Sequence, residues 1–205
     1  METSGIVGEV LLRIERLKEP VLCNVSNRHI HLSGEHCGIL FGSPEGLSKL
    51  RDLRQPGEYA ARETVDIEGP RGVLRKVRVL GPLRKRTQAE VSRTDTYRLG
   101  IRAPLRNSGD IEGSPGAVIK GPRGQVRISE GVIVARRHIH MSPEDALRFR
   151  VKDMQSVRVR TRPPRSVVFE DVLVRVSPEY ALECHLDTDE ANACDLENGA
   201  QVFLS

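Results

Sequence analysis

The chain of 205 residues has no Trp, four Phe and three Tyr, so aromatic side chains make up 3% of it. Barrels that bind single-stranded nucleic acid stack bases on aromatic rings, and this composition argues against that function. The core has to be aliphatic, and the abundance of Val favours strands. No apolar run is long enough to span a bilayer. The stretch IVGEVLLRIERL (6–17) is broken by Glu9, Arg13 and Glu15. It reads as a short amphipathic helix and not as a secretory apolar segment. The four cysteines, Cys23, Cys37, Cys184 and Cys194, form no CxxC pair. This pattern fits free thiols in a reducing, cytoplasmic setting, without a disulfide framework. Strong charge of one sign is also missing, because thirty-two Lys and Arg face 28 Asp and Glu for a net +4. Such a surface is mixed, with local basic patches, and no nucleic-acid or membrane partner is expected. The preference for Arg over Lys suits bidentate recognition of phosphate.

Histidine is equally scarce but unevenly spent. Of six, four lie in RHIHLS (28–33) and RHIHMS (137–142). Each triplet follows a strand-like segment: VLCNVS (21–26) before the first, and the continuous run GVIVARRHIHM for the second. Each precedes a capped helix, with Ser33 ahead of GEHCGILF and Ser142-Pro143-Glu144-Asp145 opening the other. Between them, ETVDIEG, VLRKVRVLG, QAEVS, AVIKG and QVRIS alternate or run Val-rich, cut by GPRG (69–72), NSGD (107–110), GSPG (113–116) and a second GPRG (121–124). Those punctuators signal hairpins and turns. SVRVRT, SVVFEDVLVRV and ALECHLD add further strands. Many short strands with little helix indicate a mainly β chain of barrels or sandwiches. Both GPRG turns fall between the two HIH copies, which suits two related subdomains meeting at a shared site better than a plain tandem duplication.

In a strand, residues i and i+2 share a face, so His29 projects with His31 and His138 with His140. Paired imidazoles suit Zn²⁺ or a similar first-row ion. Catalytic zinc takes three protein ligands, and His185 in ECHLDTDEAN is a candidate to complete one pair. Glu90 in TQAEVSRTD is a candidate for the other, although 28 acids compete for that role. His36, inside its helix, reads as structural. Arg84 follows a Gly-Pro turn beside Lys85 and Arg86, where a guanidinium can fork onto a phosphate. Arg106 and Ser108 occupy a similar turn. Cys184 and His185 are adjacent and face opposite ways on a strand, which speaks against a Cys–His nucleophile pair.

SNRHIHLS, VRVLGPLR, TQAEVSRTD, RNSGD, GSPG, GVIVARRHIHMSPEDA and HLDTDEANA together resemble the PduL-type phosphotransacylases, also called phosphate propanoyltransferases. The resemblance runs from about residue 20 to residue 198. It implies two β-barrel domains with short capping helices and the active site at their junction. Residues 1–27 and 136–205 would form one barrel and 28–135 the other. It implies two zinc ions per chain, one on His29, His31 and Glu90, the other on His138, His140 and His185. Arg84 matches the phosphate-binding arginine of the family; Ser26, Arg78 and Asn192 match positions near the coenzyme A and metal sites. Cys184 departs from the family, which usually has an apolar residue before the last histidine, and its sulfur is a potential competitor for metal. The implied reaction is reversible: acyl-CoA (propionyl-CoA or acetyl-CoA) plus phosphate gives acyl phosphate plus CoA. A dizinc hydrolase of a thioester and a non-catalytic nucleic-acid-binding barrel are the alternatives. A homodimer and residence in a bacterial microcompartment stay open, while the short stretch ahead of the first strand points to the cytosol.

Overall fold

A computed structural model describes residues 19–43 and 46–205; the amphipathic helix expected over residues 6–17 lies outside these. In chain order the strands are β1 (Pro20–Ser26), β2 (His29–His31), β3 (Lys49–Asp52), β4 (Tyr59–Glu68), β5 (Val73–Gly81), β6 (Gln88–Glu90), β7 (Leu105–Arg106), β8 (Ala117–Lys120), β9 (Gln125–Ile128), β10 (Val132–Ala135), β11 (His138–Met141), β12 (Ser156–Arg160), β13 (Val168–Val176), β14 (Glu183–Asp187) and β15 (Ala200–Leu204). Four short helices accompany them among the described residues: α1 (Gly34–Phe41), α2 (Arg93–Leu99), α3 (Pro143–Phe149) and α4 (Thr188–Cys194). The mainly β expectation holds.

The chain divides into two units. One contains the described residues through Val25, Arg137–Leu186 and Glu190–Ser205; the other contains those of Ser26–Arg136 with Asp187–Asp189. In the first, six strands close into a barrel in the order β1-β14-β11-β13-β12-β15. Closure removes the unpaired edges that an open sheet exposes. Alternation fills the interior: Val157 and Val159 of β12 point in while Ser156, Arg158 and Arg160 point out. Phe149 from α3 packs into the same core beside Ile139, Met141 and Leu186, all fully buried.

In the second unit nine strands form a curled, open sheet in the order β7-β10-β6-β2-β5-β4-β8-β9, with β3 added on β4. Ile30, Ile67, Leu74, Val79 and Ile119 fill its core without any exposed surface. The two GPRG turns belong to this one unit and do matching work. They are the tips of the β4–β5 and β8–β9 hairpins. Arg71 N–H donates to Leu99 O (3.0 Å) and Arg123 N–H donates to Leu40 O (3.1 Å), so each tip covers carbonyls at a helix C-terminus. Gly is required there by space: a Cβ on Gly69 would lie 2.3 Å from Leu99 O, and one on Gly121 would lie 2.6 Å from Leu40 O.

The run GVIVARRHIHM is not one strand. It breaks at Arg136-Arg137, leaving β10 in the open sheet and β11 in the barrel. The physical reason lies in where the two arginines are anchored. Arg136 N–H pairs with Arg106 O, whereas Arg137 donates through Nε to Glu170 O and through Nη1 to Glu190.

Candidate metal and phosphate site

Each HIH triplet is a short strand set between one antiparallel and one parallel neighbour. β2 pairs antiparallel with β6 and parallel with β5; β11 pairs antiparallel with β14 and parallel with β13. Directly after each triplet a serine turns the chain into a helix. Ser33 accepts from His36 N–H at α1, and Ser142 and Asp145 form a reciprocal capping box with Pro143 in the first turn of α3. Those caps end the strand abruptly and hold the two imidazoles at its end.

The cross-strand register selects the third donor. His29 stands opposite Glu90, and His138 stands opposite His185. Two groups result, His29–His31–Glu90 and His138–His140–His185, and within each the donor atoms lie within 4.8 Å of one another. What distinguishes Glu90 among the 28 acids of the chain is thus the pairing between β2 and β6.

In the first group His29, His31 and Glu90 are all buried. His29 Nδ1 donates to the Asn27 carbonyl at 2.8 Å, which leaves Nε2 with its lone pair, 3.5 Å from Glu90 Oε2. Burial, with the His29 ring and the Arg84 guanidinium nearby, pushes His31 well below the usual histidine range. In the second group His138 and His185 stack face to face, their centroids 4.9 Å apart. His140 packs on Tyr180, and burial with the neighbouring imidazoles lowers it to about 2. Both His31 and His140 are therefore neutral at ordinary pH, the state in which a ring nitrogen can bind metal.

Several of these nitrogens are orphaned. His31 Nδ1, both ring nitrogens of His140 and His185 Nε2 are buried without a hydrogen-bond partner. An unsatisfied buried polar atom costs about 1–3 kcal/mol, and a cation accepting the lone pairs would remove that cost. Three donors per group, drawn from imidazole and carboxylate, also match the ligand count and type of a zinc site with one open position. The residues fit the metal.

Around the first group runs a polar chain that is only partly legible in the sequence. Gln88, 2% exposed, donates from Nε2 to Glu90 Oε1 (2.6 Å) and to Ser108 Oγ (3.0 Å), and it accepts from Gly109 N–H. Arg84 Nη1 donates to the same Ser108 Oγ at 3.1 Å, and its Nη2 lies 3.6 Å from Glu58. Arg84 is also fixed by its backbone, which donates to Leu32 O at 2.8 Å beside the cap residue Ser33. Ser108 of the NSGD turn is thus brought to the site with Arg84. Arg106 instead pairs with Asp110 at the surface.

Near the second group Glu183, 2% exposed, accepts from Asn24 Nδ2 through Oε1. Its Oε2 lies 3.1 Å from His185 Nε2, within ion-pair reach though out of line for a hydrogen bond. Gln88 lies in TQAEVSRTD beside Glu90 without being read as a site residue, and Glu183 and Asn24 are marked by no motif. A signal for the first two is nonetheless present, because Q-A-E and E-C-H repeat the polar–apolar–polar pattern of H-I-H.

The other expected residues occupy more varied positions. Arg78 stands in register with His29 on β5, and its Nη1 donates to Ala61 O and Arg62 O. Ser26 closes β1, half-buried, and Asn192 is exposed on α4, the helix after His185's strand. Cys184 sits opposite Ile139 and is fully buried in the barrel core, so its sulfur points away from His185's face. His36 Nδ1 lies 2.7 Å from Thr87 Oγ1. Among the described residues no helix is long and apolar enough to cross a membrane.

Comparison with known proteins adds a family to this geometry. The family model for phosphate propanoyltransferase matches residues 22–197. A phosphate propanoyltransferase of Thermotoga maritima is 52% identical over 100% of this chain and 99% of its own length. One from Enterococcus faecalis is 45% identical over 97% and 95%, and one from Escherichia fergusonii is 50% identical over 94% and 90%.

Proposed function

The chain belongs to the phosphate propanoyltransferase family, and we propose that it transfers a short acyl group between coenzyme A and phosphate, with one zinc held in each histidine group. The observation that carries this reading is the run of contacts Arg84–Ser108–Gln88–Glu90, which ties a fixed cation to a metal-type donor set.

His29, His31 and Glu90 would hold one ion and His138, His140 and His185 the other. Bound there, zinc would act as a Lewis acid, one ion toward the thioester sulfur as it leaves as thiolate and the other toward phosphate. Arg84 supplies the rest of the phosphate binding. Its guanidinium donates to Ser108 through Nη1, has Glu58 3.6 Å from Nη2 and is a third exposed, so it can be reached by an incoming anion. In the reaction a phosphate oxygen forms a bond to the thioester carbonyl carbon. The C–S bond then breaks, the electron pair stays on sulfur, and acyl phosphate and CoA are released. Fixing the anion in place removes much of the entropic barrier of this bimolecular step. No side-chain nucleophile is invoked. All four cysteines are buried; burial raises the thiol of Cys37, and the hydrogen bond with Cys23 together with burial raises that of Cys184, away from the reactive thiolate. Ser26, Arg78 and Asn192 are assigned to substrate binding, near the coenzyme A and metal sites, on the strength of their motif positions.

The test is product analysis with propionyl-CoA or acetyl-CoA in excess phosphate. Acyl phosphate, trapped as hydroxamate, formed in step with thiol release supports the reading. Free acid with no dependence on phosphate would replace it with a thioester hydrolase.

A further inference from the structure

The two donor groups share more than their ligands. On the β2–β6 ladder His31 stands opposite Gln88, and on the β11–β14 ladder His140 stands opposite Glu183. Gln88 and Glu183 therefore occupy the same position in the two ladders. Each lies two residues before the third donor, on the same strand face, and each is 2% exposed. Each also approaches that donor: Gln88 Nε2 donates to Glu90 Oε1 at 2.6 Å, and Glu183 Oε2 lies 3.1 Å from His185 Nε2, within ion-pair reach but out of line for a hydrogen bond. Chemical polarity is matched. Where the third donor is a carboxylate, the neighbour is an amide that offers N–H; where it is an imidazole, the neighbour is a carboxylate. Both neighbours are themselves held, Gln88 by Gly109 N–H and Ser108, Glu183 by the amide of Asn24 on β1.

We propose that Gln88 and Glu183 are matched supporting residues, Gln88 fixing the third metal ligand of its group by a hydrogen bond and Glu183 holding a negative charge against the third ligand of the other. This rests on the reading that each group holds a zinc. Ligand orientation by a buried outer partner raises metal affinity, and losing that partner typically costs about 10–100-fold. Glu183 acts through its charge. Three neutral imidazoles bring no negative charge to a dication, and Glu183 puts one beside them inside the protein, where charge interactions are strong. In the other group the ligand Glu90 carries that charge itself, so its neighbour is neutral.

The test is zinc affinity in the full chain by competition with a chromogenic chelator, with the melting temperature of chelator-treated protein measured alongside. Glu183→Gln is expected to weaken one zinc by about 10–100-fold and leave the other within about twofold. Gln88→Leu is expected to do the reverse. Asn24→Ala acts on the same carboxylate from outside, and it should weaken the same zinc as Glu183→Gln by a smaller factor. Chelator-treated Glu183→Gln should melt no lower than wild type, because a buried charge has been removed. A merely structural role predicts the opposite pattern, a lower melting temperature with both zinc affinities intact, and that result overturns the inference. If wild type binds two zincs and all three variants bind them equally well, this inference alone fails. A wild-type chain that binds no zinc overturns both this inference and the reading beneath it.

Discussion

The group on β2 and β6 and the group on β11 and β14 are built on the same ladder, yet they differ at one donor and in what surrounds it. Both begin with an HIH triplet, both stop at a serine cap, and both take a third donor from the position opposite the first histidine. One third donor is Glu90 and the other His185. A His₂Glu set neutralises half of a dication's charge, whereas three neutral imidazoles leave all of it. Beside the all-nitrogen set, Glu183 brings a negative charge from outside the donors themselves. The two environments differ likewise: Ser108 and Arg84 border the first group, Tyr180 and Arg175 the second. The difference teaches that one backbone solution can be reused while the charge of the donor set changes with a single residue and its neighbour.

The sharpest way to break this comparison is to remove a ligand from each side. His29→Ala and Glu90→Ala should each lower turnover by about 10³-fold or more, and His138→Ala and His185→Ala likewise. Activity alone will not separate them, so calorimetry of CoA and of phosphate is the discriminating readout. Arg84 borders the first group through Ser108 and Gln88, so the first pair is expected to lose chiefly phosphate affinity and the second chiefly CoA affinity. Equal loss of both ligands in all four variants would merge the two groups into one functional centre. Each variant must also be shown folded by its melting curve, since metal binding and folding are linked.

Arg84 comes next in size. Arg84→Ala should raise KM for phosphate by about 10–100-fold and lower kcat, in line with loss of a charge-assisted fork. Arg84→Lys should recover little, because an ammonium is a point charge without the planar pair of donors. Initial-rate kinetics with varied phosphate check both, and unchanged phosphate dependence would reduce Arg84 to a surface residue.

The smallest effect is on stability against pH, and it should be visible from both groups. His31 and His140 are held neutral in the folded chain, His140 down to about 2, while the unfolded chain titrates near 6.5. Between those values the unfolded state takes up protons that the folded state refuses. Stability is thus full above about pH 6.5 and falls as the pH drops below it. Chelator-treated protein should melt about 2–4 °C lower per group at pH 5.5 than at pH 7.5. No difference would mean that one or both rings charge without penalty in the folded chain.

What could be read from sequence divides along the range of the interactions. The HIH pairs, the serine caps and the GPRG turns are local patterns, and their structural roles follow from spacing and turn chemistry. Strands such as β1 and β5 are likewise written in a few adjacent residues. Glu90 is different, because its role depends on standing opposite His29 across a strand pair distant in the chain, a register that no local pattern encodes. Gln88 and Glu183 are further removed still, since their meaning appears only when the two ladders are laid side by side. The split of GVIVARRHIHM into β10 and β11 is hidden for a related reason. Apolar runs look alike, and only tertiary partners for Arg136 and Arg137 decide where one ends. Cys184 shows the converse, because strand alternation alone suffices to face it away from His185.

The most direct test of the two-group account is zinc stoichiometry measured together with activity. Wild type, His29→Ala and His138→Ala, purified without chelator, would be analysed for metal per chain and assayed for acyl phosphate formation on the same samples. The account predicts about two zincs in wild type and about one in each variant, with activity lost from both variants. Full activity in a metal-free wild-type chain, or two zincs retained in either variant, would contradict it.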